Sequence, residues 1–325
     1  MYKAFYNLMS NPFDITPDPS FLFPTTRHKE ALAALYYGIR RHKGIVVLTG
    51  EVGTGKTLLL RCLLQLLKKS NDIAYVYLFN SRLSPIELLH YIASDFGLSA
   101  SGKNKSELLI ELSNYVVSRG LNQLTTVLIV DEAHDLSTDT LEEIRLLTNL
   151  ETTQEKILQI LLVGQPELDR KLDSVGLRQL KQRIALRSTL EPLDANETKG
   201  YIEARLHLAG ANSSASALFP GQTIAAVHRH SRGIPRLINT ICENALIIAY
   251  TKQVREVTPD IVEEVAEDFR LDVVRVPEVE RVNSLDEIEA QQAARILLDW
   301  YASLQKRPAH DADVRAPVTV LGRQA

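Results

Sequence analysis

The segment Gly50-Glu51-Val52-Gly53-Thr54-Gly55-Lys56-Thr57 constrains this chain more than any other. It follows a short apolar run, residues 45–49, and precedes a stretch of helical periodicity, 57–69, that ends in lysines. An apolar run of that length ending in glycine suits a strand buried on both faces of a parallel sheet. Glycines let the backbone turn successive N–H groups inward around an anion. The helix that follows aims its positive end at the same point. The spacing G-x-x-x-x-G-K-[ST] is that of a phosphate loop, and a chance match in a chain of this length is roughly a 1-in-100 event. The nucleotide-binding stretch is expected to run from Gly50 through Leu58. Within it Lys56 supplies a point charge to the β and γ phosphates, and Thr57 a hydroxyl to Mg2+.

The remaining chain reads as a parallel α/β layer followed by helices. Apolar runs over 45–49, 73–79, 126–130 and 157–163 alternate with helical patterns over 57–69, 84–96, 106–119 and 141–150, and 184–190 offers a fifth strand. Such alternation predicts a sheet covered on both faces, with the loops after the strands gathered on one edge. Ser84-Pro85-Ile86-Glu87 spells a helix start with a capping box. From about residue 193 only helical patterns occur, over 196–209, 220–231, 234–250 and 259–269. The expected organisation is an arm over 1–26, a core over 27–192, a helical lid over 193–270 and a tail over 271–325. The arm is rich in aromatics and prolines, so it is expected to run extended and pack on the domain that follows. A helix is expected from Thr26, as its N-cap, to about Arg41. In the tail, one helix is expected over 284–305, and the last ~20 residues read as disordered.

With 325 residues and 45% apolar composition, the chain can build a large core without disulfides. Cys62 and Cys242 are far apart and read as small buried apolar residues. A net charge of -3 argues against a protein that lives on nucleic acid. No signal-peptide pattern and no run of ~18 apolar residues is present.

Four further positions carry chemistry. Thr126-Val127-Leu128-Ile129-Val130-Asp131-Glu132 brings two adjacent carboxylates to the end of a strand. Asp131 is expected to hold Mg2+, directly or through water, and Glu132 to polarise the attacking water. Asp131-Glu132-Ala133-His134 also spells a helicase word, but no companion helicase motif accompanies it, so His134 reads as a loop or subunit-contact residue. Gln165, after the apolar run 160–163, sits where it would orient that water or sense the γ-phosphate. In the basic stretch Arg178-Gln179-Leu180-Lys181-Gln182-Arg183, Arg183, with Arg178 as the alternative, would reach the γ-phosphate of a neighbouring subunit. Arg236, in Ser231-Arg232-Gly233-Ile234-Pro235-Arg236, opens a lid helix and would couple lid position to the nucleotide.

In this order the five features form the AAA+ pattern of Walker A, Walker B, sensor 1, arginine finger and sensor 2, matching over about 27–270. More narrowly, the chain resembles the ExeA/GspA-like secretion ATPases. The residues that carry the likeness are Phe5-Tyr6-Asn7-Leu8, Asn11-Pro12-Phe13, Pro17-Asp18-Pro19-Ser20-Phe21-Leu22-Phe23 and His28-Lys29-Glu30-Ala31-Leu32. Val163-Gly164-Gln165-Pro166-Glu167-Leu168 and the stretch 177–183 join them. The resemblance implies a P-loop (AAA+) three-layer fold with a small helical lid, ATP and Mg2+ as ligands, and self-association in a ring or arc. It also implies service to secretion, pilus or exopolysaccharide machinery at the bacterial envelope, and places 24–28 near the adenine. A transmembrane helix and a peptidoglycan-binding part, which some members carry, are missing from this sequence, favouring the soluble members and a cytoplasmic place, or one peripheral to the inner membrane. The competing expectations are an ATP-dependent DNA-binding regulator like the transposition ATPases, and a nucleotide switch without turnover. The aromatic arm argues against the first and the presence of Glu132 against the second.

Overall fold

The computed structural model describes residues 2–16, 21–79, 82–151, 155–211 and 215–271. The tail from 272 onward, with the helix expected over 284–305, lies outside the described residues, as do 17–20 of the arm.

Five strands, β1 (Ile45–Gly50), β2 (Ile73–Leu78), β3 (Thr125–Val130), β4 (Leu158–Gly164) and β5 (Ile184–Leu190), lie in the order β2-β3-β4-β1-β5. All pairings are parallel, so every connection must cross over a face of the sheet. Side chains alternate between the faces. Ile45, Val47, Leu128, Val130, Ile160 and Leu162 point into one hydrophobic cluster, and Val46, Leu48, Val127, Ile129, Leu161 and Val163 into another. Both sets are buried, which is why the inner strands read as unbroken apolar runs.

The helices are α1 (Tyr2–Tyr6), α2 (Thr26–Arg40), α3 (Lys56–Lys68), α4 (Pro85–Asp95), α5 (Lys105–Leu121), α6 (Thr138–Leu147), α7 (Pro166–Leu172) and α8 (Arg178–Lys181). Helices α2 and α3 cover one face, and α4 to α8 the other, giving three layers. Ser84 and Glu87 make the expected capping box at the start of α4. At α2 the cap is Thr25 rather than Thr26: Thr25 has the extended backbone, and its hydroxyl accepts from the His28 N–H at 3.3 Å.

After β5 the chain forms α9 (Ala195–Leu208), α10 (Ala215–Leu218), α11 (Gly221–Ser231), α12 (Pro235–Thr251) and α13 (Pro259–Asp268) around a third hydrophobic cluster. The arm differs from expectation. It opens with the short helix α1, and its Tyr2, Tyr6, Leu8 and Phe13 are buried in this lid cluster rather than on the sheet domain that follows in sequence. The cause is polar as well as apolar. Arg205 of α9 donates to the carbonyls of Pro12 and Asp14, the latter at 3.0 Å, and the Tyr2 hydroxyl donates to Glu243 of α12 at 2.8 Å. The arm then bridges lid and core: Phe23 stacks edge-on against Tyr201 of α9, while Leu22 joins the sheet-face cluster of α2 and α3.

Candidate active site

Strand β1 carries Gly50 to the C-terminal edge of the sheet, and residues 51–55 turn over that edge before α3 begins at Lys56. Gly53 has φ +84°, and a Cβ there would lie 2.7 Å from the Cβ of Arg236, so glycine is required by conformation and by space. Val52 stands exposed at the tip of the turn. The Thr54 N–H and hydroxyl both bond to the carbonyl of Glu51, at 3.3 and 2.9 Å.

Lys56 is buried, and its Nζ donates to the carbonyls of Gly50 at 2.7 Å and Glu51 at 2.9 Å. Burial lowers its pKa, while the nearby carboxylates of Glu132, Asp131, Glu51 and Glu167 favour its charged form. Four carboxylates from three different segments thus surround one ammonium. Thr57 and Leu58 follow in the first turn of α3, both half-buried.

The loop rests on His28. Its Nε2 lies 3.3 Å from the Thr54 carbonyl, and its Nδ1 2.7 Å from the Thr25 hydroxyl. A carbonyl can only accept, so Nε2 carries the proton and Nδ1 accepts from Thr25. The expected adenine-side segment 24–28 therefore abuts the phosphate loop, through a histidine whose contact the sequence alone did not disclose.

Strand register brings the second motif alongside. Val130 is level with Leu162 of β4, and Leu162 with Val47 of β1. Asp131 therefore stands level with Leu48, about two strand spacings, roughly 10 Å, across the sheet from β1. Asp131 is buried; one carboxylate oxygen accepts from the Tyr77 hydroxyl at 2.9 Å, the other from the Glu132 N–H at 3.0 Å. Glu132 has φ +50° and ψ +39°, a left-handed conformation rare for a residue with a side chain and characteristic of functional sites. Thr57 and Asp131 offer a hydroxyl and a carboxylate, the hard oxygen donors that suit magnesium, and each Asp131 oxygen keeps lone-pair capacity beyond its hydrogen bond.

Gln165 follows β4, the strand between β1 and β3, and so lies between phosphate loop and carboxylates. Its N–H donates to His134 Nδ1 at 3.4 Å, and the Glu132 carboxylate lies 3.4 Å from the same nitrogen. His134, in the turn after β3, is thus a largely buried link between the two strand ends. Lys171 of α7, which sequence reasoning passed over, ties the same turn down by donating to the carbonyls of His134 and Leu136.

Arg236 meets the loop directly. Its main-chain N–H donates to the Gly53 carbonyl at 3.2 Å, and its side chain is exposed beside the turn. Gly233, with φ +72°, fixes this approach: a Cβ there would lie 1.8 Å from the Leu193 carbonyl oxygen. Arg183 is different. Ile184 pairs with Ile45, at the start of β1, so Arg183 stands at the opposite edge of the sheet from its own phosphate loop. There its guanidinium donates to the Thr148 hydroxyl and the Arg145 carbonyl at the end of α6. Arg178 is exposed on α8.

A family model described as an AAA domain matches residues 39–172, the segment that holds the phosphate loop, the carboxylates and Gln165. The chain belongs to the AAA ATPases. This ATPase is 43% identical to general secretion pathway protein A of Aeromonas hydrophila over 253 residues, which is 78% of this chain and 45% of that protein. It therefore spans less than half of the relative's length. In fold it is similar to the Aeropyrum pernix ORC2 protein, solved as ADPNP-ADP complexes, with TM-score 0.57 at 16% identity over 82% of this ATPase and 72% of that chain. It is also similar to Cdc6p from Pyrobaculum aerophilum, with TM-score 0.55 at 18% identity over 77% and 71% of the two chains. Among the described residues of the ATPase, no helix is long and apolar enough to cross a membrane.

Proposed function

We propose that this ATPase hydrolyses ATP in a magnesium-dependent reaction and uses the cycle to drive assembly or export at the bacterial envelope, in a secretion, pilus or exopolysaccharide system. The convergence of Glu132, Asp131 and Glu51 on the buried Lys56 supports the chemical half of this reading. The 43% identity to a general secretion pathway protein supports the cellular half.

In this reading the main-chain N–H groups of 50–57 hold the phosphates, and Lys56 exchanges its carbonyl partners for phosphate oxygens. Thr57 and Asp131 hold magnesium, which when bound neutralises charge between the β and γ phosphates. Glu132 accepts a proton from the attacking water, and Gln165 orients that water. Arg236 reads the nucleotide from the lid. The lid over 193–270, with the arm fastened to it, moves against the core over 27–192. Arg183, remote from its own loop, serves the nucleotide of a neighbouring subunit in a ring or arc. The work is done on the cytoplasmic side, with the envelope machinery as partner.

A chromosomal Glu132→Gln allele tests the proposal. Strains carrying it should accumulate the protein at normal levels yet lose secreted proteins, surface pili or exopolysaccharide. Unchanged levels of all three, with ATP turnover abolished in the purified variant, would contradict the envelope role.

A further inference from the structure

Strand β2 lies at the edge of the sheet and carries none of the motif residues, yet its Tyr77 hydroxyl donates to Asp131 Oδ2 at 2.9 Å. The Glu132 N–H binds Oδ1 at 3.0 Å. Donors on both oxygens fix the plane of the carboxylate and leave capacity on each for a metal or its water. Tyr77 is in turn held at its own backbone by α4. The Tyr91 hydroxyl donates to the Tyr77 carbonyl at 3.1 Å, and the Tyr77 N–H donates to the Asp95 carboxylate. These are the outward groups of an edge strand, which have no further strand to pair with; side chains of α4 take that place.

Packing alone does not call for a tyrosine here. Phenylalanine fills the same space without a hydroxyl that must find a partner on burial. Burial, and then the charge of Asp131, push the phenol pKa well above its ordinary value, so it stays a donor across the working pH range.

Resting on the reading of Asp131 as the metal-side carboxylate, we infer that Tyr77 is a positioning residue for magnesium: its hydroxyl orients Asp131, and α4 holds Tyr77 through Tyr91 and Asp95. Hydrogen-bond partners of metal-binding carboxylates commonly govern metal affinity by about 10–100-fold.

The test is a titration of a fluorescent ATP analogue into the full chain, first in EDTA and then at rising magnesium. Tyr77→Phe should leave the affinity in EDTA unchanged, and raise the magnesium concentration for half-maximal tightening about tenfold. Tyr91→Phe should shift that concentration in the same direction by less. A Tyr77→Phe protein with the wild-type magnesium requirement overturns the assignment. So does one that loses affinity equally in EDTA and magnesium, since the hydroxyl would then be serving the fold. If the wild-type affinity itself ignores magnesium, the metal reading of Asp131 falls first and takes this role with it.

Discussion

The main-chain N–H of Arg236 donates to the carbonyl of Gly53 at 3.2 Å, so the helical lid is hydrogen-bonded to the phosphate loop itself. Lid angle and loop shape are therefore linked through this contact, and Gly53, packed against Arg236 and Ile234, has no room to change it. Gly53→Ala should displace α12 and strain the loop, at a cost of about 1–3 kcal/mol. The expected result is a lower melting temperature together with weaker nucleotide binding. An unchanged affinity would show that lid contact and binding are separate.

Glu132 stands next to the buried Asp131 in a strained backbone conformation. Glu132→Gln keeps the size and removes the base. Nucleotide affinity should hold within about twofold, while phosphate release should fall by about 10²–10⁴-fold. Equal turnover in variant and wild type would assign the base elsewhere.

Burial holds the His28 imidazole below its ordinary pKa of 6.5, against the opposing pull of the Thr54 carbonyl and Glu197. As pH falls below 6.5, the unfolded chain takes up a proton that the folded chain resists, so stability is lost on the acid side and is fully present above 6.5. Urea midpoints measured between pH 8 and 5 should decline on the acid side. In His28→Gln, which retains a donor for the Thr54 carbonyl, that decline should be shallower.

Arg183 is bound to Thr148 and Arg145 at the edge remote from its own phosphate loop. Arg183→Ala should bind ATP normally and lose turnover by about 10³–10⁵-fold. A mixture of Arg183→Ala with Lys56→Ala should hydrolyse more ATP than the two proteins measured apart, because one subunit's arginine completes the other's site. A strictly additive mixture would contradict action between subunits.

The sequence was most legible where chemistry is local. Gly50–Thr57 and Asp131-Glu132 each lie at one strand end and the turn that follows it, so spacing alone marked them, and the apolar runs of β1, β3 and β4 marked strands that prove to be buried on both faces. Contacts made across the fold were not legible. Tyr77 meets Asp131 from 54 positions away, and nothing in the pattern of β2 distinguishes it from Tyr75. The arm's aromatics announced burial but not its location, because the choice of lid over core depends on Arg205 and Glu243, some 200 residues further on. The shift of the α2 cap from Thr26 to Thr25 reflects two adjacent threonines with equal capping chemistry, separated only by backbone conformation.

The central claim is that Lys56, folded onto the carbonyls of Gly50 and Glu51, is poised to take a triphosphate. Equilibrium titration of purified wild type and Lys56→Ala with a fluorescent ATP analogue in magnesium buffer tests it most directly. Saturable binding by the wild type and none by Lys56→Ala is expected, with both proteins equally folded by circular dichroism. Wild-type protein with no measurable affinity, or a Lys56→Ala variant that binds as tightly as wild type, would contradict it.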